Sequence, residues 1–456
     1  MLDELTCFKA YDIRGVIGDE IGDEICFAIG RSFSEVLSAK NIVVGFDARE
    51  TSPQFARNVI DGIVDRGANA ISLGLCGTEE VYWATNHFKA CGGIQVTASH
   101  NPINYNGMKL VKKGSEPLEE IREFSRVKEL ASKNTFFKVG KGKIFDWRNE
   151  ARDSYVDKVL SFINPSTIRD LTIVVNSGNG AAGPTFDHIE KRLSILGSNL
   201  NFIKVNHNPD GSFPNGIPNP LLPNQHPFMK DKILETGADF GISFDGDFDR
   251  CFFFDELGNF VKGEYLVGIL AEKFLKRASS EFIVHDPRVV WNIKDVIESN
   301  NGTAIQSKTG HVFIKKVMRD YKAVYGGELS GHHYFRDFAY CDSGMIPWLI
   351  IAEMLCEKRV SLSNLIGERQ KKFPSFGEIN FKLENPENHI KKLIDRYKKS
   401  CSNIDSLDGV SFEFCSWRFN VRLSNNEPLL RLNLESRGDK ELLLKQKDEI
   451  SAIILE

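Results

Sequence analysis

Short aliphatic runs that alternate with helically spaced segments constrain this chain more than any other feature. Asn41-Ile42-Val43-Val44-Gly45 precedes a helical stretch at 52–66, and Ala70-Ile71-Ser72-Leu73 follows it. Gly92-Gly93-Ile94-Gln95-Val96 and Gly107-Met108-Lys109-Leu110-Val111 come next. Runs this short and apolar read as strands buried on both faces, and their alternation with helices predicts a mostly parallel sheet. The pattern returns at 171–176 and 239–244, and again through a helix at 263–276 and strands at 282–284, 303–306 and 323–325. Each block ends in a polar loop, which suggests a repeated architecture with its loops facing one cleft. Past Pro374 the texture changes to a basic helix at 387–399, alternating residues over 410–436 and a helix at 440–455. The expected fold is therefore α/β. Three similar mixed α/β domains (1–150, 151–256 and 257–369) and a C-terminal α+β domain (370–456) would surround a central cleft. Residues 131–170, polar and weakly periodic, read as a domain junction, and Phe373-Pro374 as a hinge.

Composition excludes several classes of function. At 456 residues, with 41% hydrophobic and 26% charged residues, the chain is an ordinary globular protein too long for one core. A net charge of −4 attracts neither nucleic acid nor acidic membranes, so any bound anion needs a local basic cluster. Met1-Leu2-Asp3-Glu4-Leu5 lacks the basic and apolar regions of a signal peptide, and the apolar run at 345–355 is too short to span a bilayer. Nine cysteines without a Cys-x-x-Cys pair read as reduced thiols in a cytoplasmic protein.

Two loops carry the chemistry. Thr97-Ala98-Ser99-His100-Asn101-Pro102 ends a buried strand on a proline, which is either an ordinary turn or a perch for a nucleophilic serine. Lys109 lies on the return limb, within reach of that loop. Asp245-Gly246-Asp247-Phe248-Asp249-Arg250 offers three carboxylates at alternate positions, suited to a hard cation such as Mg²⁺. A Ca²⁺-binding EF-hand is a rival, but its sixth position needs glycine where Arg250 stands, and strand-like runs flank the loop. Arg250 beside three aspartates makes sense if a phosphate bridges them, and Ser99 is the residue to carry it. His332 or Lys109 would then relay the proton of an incoming hydroxyl, although His332 and His333 also read as a structural pair. Ser177-Gly178-Asn179-Gly180-Ala181-Ala182-Gly183 lacks the Lys-Ser/Thr of a P-loop, so close strand-to-helix packing is its expected role. Tyr11 and Arg14 by themselves read as surface residues.

Five stretches in order, namely 8–15, 97–102, 245–250, 327–332 and 422–428, resemble the α-D-phosphohexomutase family. Within it the chain is similar to the bacterial phosphomannomutase/phosphoglucomutase branch, including the run His332-His333-Tyr334-Phe335-Arg336-Asp337. The resemblance spans essentially the whole chain. It implies interconversion of mannose 6-phosphate and mannose 1-phosphate through a phosphoserine and a hexose 1,6-bisphosphate, feeding GDP-mannose and surface polysaccharide synthesis. It implies Ser99 as phosphoryl carrier and, with Asp245, Asp247 and Asp249, as Mg²⁺ ligand, and hexose 1,6-bisphosphate as activator. Arg14, Lys109 and His332 would act around the transferring phosphate. Tyr11, Arg250, Lys308 and His311 would contact substrate, Glu328 and Ser330 would read sugar hydroxyls, and Arg422, Ser424, Asn425 and Asn426 would grip the other phosphate. Asn426 stands where the family usually has threonine, and Leu423 where a small Ser or Thr is common. The partner expected is a phosphosugar, with no nucleic acid and no membrane. A dual-specificity phosphomannomutase/phosphoglucomutase is the nearest alternative. An aspartyl-phosphate phosphotransferase using Asp245, whose motif normally continues Gly-Thr or Gly-Val, and a Ca²⁺-binding protein stand further off.

Overall fold

The computed structural model describes residues 5–133, 140–424 and 429–456. The chain divides into two compact units. One comprises Met1–Phe260 with His332–Arg359, the other Val261–Gly331 with Val360–Glu456.

In the first unit, the strand Asn41–Phe46 lies between Gly92–Val96 and Asn69–Leu75, parallel to both. Tyr105–Lys112 then pairs antiparallel with Gly92–Val96, and Ile13–Val16 antiparallel with Tyr105–Lys112. The expected parallel sheet therefore carries an antiparallel edge, because the return from the Ser99 loop is too short for a helical crossover. Helices Asp23–Val36 and Ser52–Asp65 cross in close contact. A Cβ on Gly30 would meet the Val59 carbonyl oxygen at 2.2 Å, so only glycine permits this approach. From residue 140 on, the described part of the junction expected over 131–170 holds regular elements. It holds a strand, Ile144–Asp146, parallel to Asn69–Leu75, and a helix, Arg148–Leu160. That helix buries Ala151, Tyr155, Val156, Val159 and Leu160, a single apolar stripe among charged residues.

A second sheet in the same unit centres on Phe240–Phe244, parallel to Arg169–Asn176 and antiparallel to Cys251–Phe254. The aspartate loop is thus the turn of a β-hairpin, which removes the helix–loop–helix frame of an EF-hand. The glycine-rich stretch does pack tightly: a Cβ on Gly183 would meet the His207 carbonyl oxygen at 2.0 Å, and one on Gly180 the Gly246 carbonyl oxygen at 2.7 Å. Helix Met345–Lys358 is buried along most of its length, with Trp348 against Phe186 and Phe202. Its first amides, Gly344 and Met345, donate to the buried Glu79 carboxylate at 2.9 and 3.2 Å.

In the second unit, Phe282–His285 runs parallel to Thr303–Gln306 and Tyr325–Gly327. Residues past Pro374 form an antiparallel sheet ordered Ser375–Lys382, Leu429–Ser436, Trp417–Leu423, Val410–Glu413, Asn403–Asp405. Phe412, Phe419, Leu432 and Leu434 pack there with Leu393 and Ile450 from helices Pro386–Tyr397 and Lys440–Leu455. The expected hinge at Phe373-Pro374 is pinned in this structure. Tyr265 Oη donates to the Phe373 carbonyl at 2.8 Å, the Ser436 amide to the Pro374 carbonyl at 3.0 Å, and the Lys262 ammonium to the Ser375 carbonyl. No helix among the described residues is long and apolar enough to cross a membrane.

Candidate active site

Ser99 sits at the end of strand Gly92–Val96 with φ of 48°, a left-handed conformation costly for a residue with a Cβ. Its surroundings hold it there. The Ser99 amide donates to Thr97 Oγ1 at 2.8 Å, and Arg49 donates to the carbonyls of Ser99, Asn101, Pro102 and Tyr105, at 3.1 Å to the first. Asp47 underpins the loop by accepting from Thr97 Oγ1 at 2.6 Å. The Ser99 hydroxyl is thereby aimed at the hairpin turn, where it donates to Asp245 Oδ2 at 2.7 Å. The two loops pass so closely that a Cβ on Gly246 would meet the Ser99 carbonyl oxygen at 2.5 Å.

Asp245, Asp247 and Asp249 are all buried, and one oxygen from each lies within 4.8 Å of the others. Lys109 lies opposite Gln95 in the antiparallel pair, which turns its ammonium onto Asp247 Oδ2 at 2.8 Å and onto Asp249. Thr78 Oγ1 also donates to Asp247, and Arg250 Nε donates to Asp245 Oδ2 at 2.8 Å. Lys109 and Arg250 thus contact all three carboxylates without filling every oxygen. Asp247 Oδ1 and Asp249 Oδ1 are buried without a hydrogen-bond partner among the described residues. Converging buried carboxylate oxygens without hydrogen-bond partners among the described residues fit a hard divalent cation. Burial, and then the neighbouring Asp247, raise the pKa of the Asp249 carboxyl. Burial opposes charge on Asp247 as well, but Lys109 outweighs it and holds that carboxyl below its usual range.

His332 Nδ1 lies 2.8 Å from Asp342 Oδ2 and 3.9 Å from Asp249 Oδ1. Burial disfavours its charge, yet Asp249 and Asp342 prevail and raise its pKa. His100 goes the other way: burial and the Arg250 guanidinium beside it hold the ring neutral. Arg14 is tied back to the Ile13 carbonyl at 2.7 Å and lies 3.5 Å from Asp12, while Tyr11 beside it is half-buried. Ser99, Lys109, the three aspartates, Arg250 and His332 are therefore brought together within one unit.

The remaining expected residues lie in the second unit. Glu328 is buried and accepts from the Gly310 amide at 2.7 Å, beside His311 at the start of helix His311–Tyr321. Lys308 is exposed and Ser330 half-buried. Arg422 is buried on strand Trp417–Leu423, and Ser424 Oγ accepts from Arg431 Nη2 at 3.2 Å. Asn425 and Asn426 lie outside the described residues. Sequence reasoning missed Arg49, Thr78, His100 and Asp342, and in the second unit Arg288, Glu378 and Arg431. For Arg49, Thr78, Arg288 and Glu378 the signal lies in contacts across long sequence separations, which no local pattern carries, whereas His100, Asp342 and Arg431 lie within ten residues of Ser99, His332 and Arg422.

The models of phosphoglucomutase/phosphomannomutase α/β/α domains I, II and III match residues 6–136, 153–258 and 262–373, and that of the C-terminal domain matches 378–453. A phosphomannomutase from Salmonella montevideo is 49% identical over 454 residues, covering 99% of this chain and 100% of the relative. A protein named "Phosphohexose mutases" from Xanthomonas campestris pv. campestris is 45% identical, covering 99% of each chain. Among solved structures, a phosphoglucomutase/phosphomannomutase family protein from Burkholderia thailandensis superposes with a TM-score of 0.87 at 27% identity, covering 100% of this chain and 98% of that one. With all four domain models matched in order and nearly half the residues shared end to end, the chain belongs to the phosphoglucomutase/phosphomannomutase family.

Proposed function

We propose that this protein is a phosphomannomutase that interconverts mannose 6-phosphate and mannose 1-phosphate, with Ser99 as phosphoryl carrier. The observation that carries the reading is the 2.7 Å contact of the Ser99 hydroxyl with Asp245 inside a buried group of three carboxylates. Its identity to enzymes named phosphomannomutase supports the choice of sugar.

Asp245, Asp247 and Asp249 would hold Mg²⁺ together with the phosphorylated Ser99. A bound Mg²⁺ would supply neutralisation of the phosphate oxygens. The chain's own groups do the rest. Lys109 and Arg250 add positive charge beside the transferring phosphoryl group. His332, whose Nδ1 proton is held by Asp342, offers Nε2 to the proton of the attacking sugar hydroxyl. The phosphorus–oxygen bond to Ser99 breaks as the bond to the sugar oxygen forms, giving a hexose 1,6-bisphosphate. Return of the opposite phosphate to Ser99 completes the isomerisation, so added hexose 1,6-bisphosphate primes unphosphorylated enzyme. Arg14 acts beside the transferring phosphate, Glu328 and Ser330 read the sugar hydroxyls, Arg422, Ser424, Asn425 and Asn426 grip the phosphate that is not reacting, and Tyr11, Lys308 and His311 contact the substrate. Domain boundaries near 150, 256 and 369 go with this reading. So does a cytoplasmic location, where nine free cysteines stay reduced and mannose 1-phosphate feeds GDP-mannose synthesis.

The test is to incubate the protein with hexose 1,6-bisphosphate, map the phosphate by mass spectrometry, and compare kcat/KM for mannose and glucose 1-phosphates. Phosphate on Ser99 and a preference for the mannose isomer are expected. Hydroxylamine-labile phosphate on Asp245 would replace the mechanism with an aspartyl one.

A further inference from the structure

Arg422 and Arg431 stand directly opposite each other on the antiparallel strands Trp417–Leu423 and Leu429–Ser436. Opposed residues share a sheet face, and like charges there repel. One carboxylate answers both. Glu378 Oε2 lies 3.3 Å from Arg422 Nη2, and its Oε1 lies 3.1 Å from Arg431 Nη1. A third guanidinium, that of Arg288, reaches Glu378 Oε2 at 3.5 Å.

Arg422 and Arg431 each meet Glu378 through one nitrogen, whereas Arg418 and Arg288 are each held through several contacts. Arg418 donates to Glu435 at 2.8 Å and to the carbonyls of Pro287 and Arg288 at 3.0 and 3.1 Å. Arg288 is held by both oxygens of Asp286, at 3.1 and 2.8 Å. The Nε atoms of Arg422 and Arg431, by contrast, are buried without partners among the described residues. Glu378 answers the charge of the cluster but leaves these two Nε donors without a partner among the described residues. Phosphate oxygens satisfy both, because guanidinium groups bind them in parallel pairs.

Glu378 is also placed where it can leave. Strand pairing slips between Ser375 and Glu378, Gly377 adopts φ of 76°, and the Glu378 side chain is 23% exposed. Such a bulge re-aims a side chain without disturbing the rest of the strand.

We propose that Glu378 is a placeholder anion: it bridges Arg422 and Arg431, with Arg288 beside them, without ligand and is displaced when the non-reacting phosphate of the sugar binds. The inference rests on reading Arg422 as a phosphate ligand. Net affinity is then the difference between two anions competing for the same guanidinium groups. That competition keeps the grip weak enough for the bisphosphate to be released and rebound within a turnover. A scaffold role for Glu378 makes the opposite prediction, since its loss would let the like charges spread and weaken the site.

The experiment titrates inorganic phosphate calorimetrically into the full chain, comparing wild type, Glu378→Gln, Arg422→Ala and the double variant. Glu378→Gln should bind phosphate about tenfold more tightly, the scale of one charge-assisted contact no longer opposed. That gain should vanish in the double variant. Equal or weaker binding by Glu378→Gln overturns the placeholder and establishes the scaffold. Phosphate affinity indifferent to Arg422→Ala overturns the underlying phosphate-site reading, and the placeholder with it. Glu378→Ser provides the same comparison if the glutamine variant fails to fold.

Discussion

Arg49 Nη2 donates to the carbonyl of Ser99 at 3.1 Å, and the same guanidinium donates to the carbonyls of Asn101, Pro102 and Tyr105. One buried cation thus satisfies four backbone acceptors of the loop that holds the candidate nucleophile in a left-handed conformation. Lysine keeps the charge but cannot span four acceptors from a single point. Arg49→Lys should lose about 2–4 kcal/mol of stability in urea, the scale of stranding buried acceptors around a charge. Phosphorylation of Ser99 by hexose 1,6-bisphosphate should slow by at least about tenfold. Wild-type phosphorylation in a folded Arg49→Lys variant would show that the serine loop sets its own conformation.

The orphan oxygens of Asp247 and Asp249 predict a metal requirement with a structural readout as well as a catalytic one. Turnover should cease in EDTA and return with Mg²⁺. Mg²⁺ at about one hundred times its Kd should also stabilise the protein by about 2.7 kcal/mol, raising Tm without any substrate present. Asp247→Asn removes a ligand charge and should reduce that shift sharply. Full activity in chelator, or an equal Tm response in the variant, would remove the metal from this site.

Acid sensitivity should come in part from His285 in the second unit. Its Nδ1 proton is donated to the Asp286 carbonyl at 2.7 Å, while Nε2 is buried without a partner among the described residues. Burial, reinforced by Lys294 and Arg418 over the opposing pull of Asp286, brings the ring down to about 4. The unfolded chain takes up this proton near its ordinary pKa of about 6.5, and the folded chain resists it. The contribution is therefore complete above that pH and is lost as pH falls toward the folded value. Between pH 7.5 and 5.0 it amounts to roughly 2 kcal/mol. Urea unfolding of wild type and His285→Gln at both pH values measures it, and equal acid losses in the two proteins would exclude His285 as the source.

What could be read from the sequence follows the range over which each interaction acts. Strands such as Asn41–Phe46 and Phe240–Phe244 were legible because β-branched and aromatic runs between turn residues state their burial locally. The aspartate turn was legible for the same reason, its three carboxylates lying within five residues. Helix Arg148–Leu160 was not, since its charged residues mask a stripe that matters only against neighbours already folded. Lys109 reads from the sequence as within reach of the Ser99 loop, and the antiparallel register instead carries its ammonium onto Asp247 and Asp249 of the facing turn. Arg49 lies fifty residues from Ser99, and Thr78 lies 169 residues from Asp247. Such pairs exist only once the sheets have formed. Arg288 and Glu378 were missed on the same ground.

Arg422 provides the sharpest test of how the bisphosphate is kept through a turnover. In the proposed mechanism the sugar presents first one end and then the other to Ser99, so the distal phosphate needs a site that accepts either end. Arg422 fits that task, with a buried guanidinium whose Nε is unpartnered among the described residues and whose one ion pair, to Glu378 at 3.3 Å, is long. Burial and the nearby Arg288 disfavour its charge and lower its pKa, so the site gains from an arriving anion. Losing one charge-assisted phosphate contact costs about 1.5–3 kcal/mol, roughly ten- to a hundredfold in kcat/KM. Arg422→Ala should therefore reduce kcat/KM by at least that factor while leaving Ser99 open to phosphorylation at saturating hexose 1,6-bisphosphate. Free bisphosphate should accumulate faster per turnover, because the intermediate is held at one end only. A variant with wild-type efficiency and no extra bisphosphate release would assign the distal phosphate to other residues.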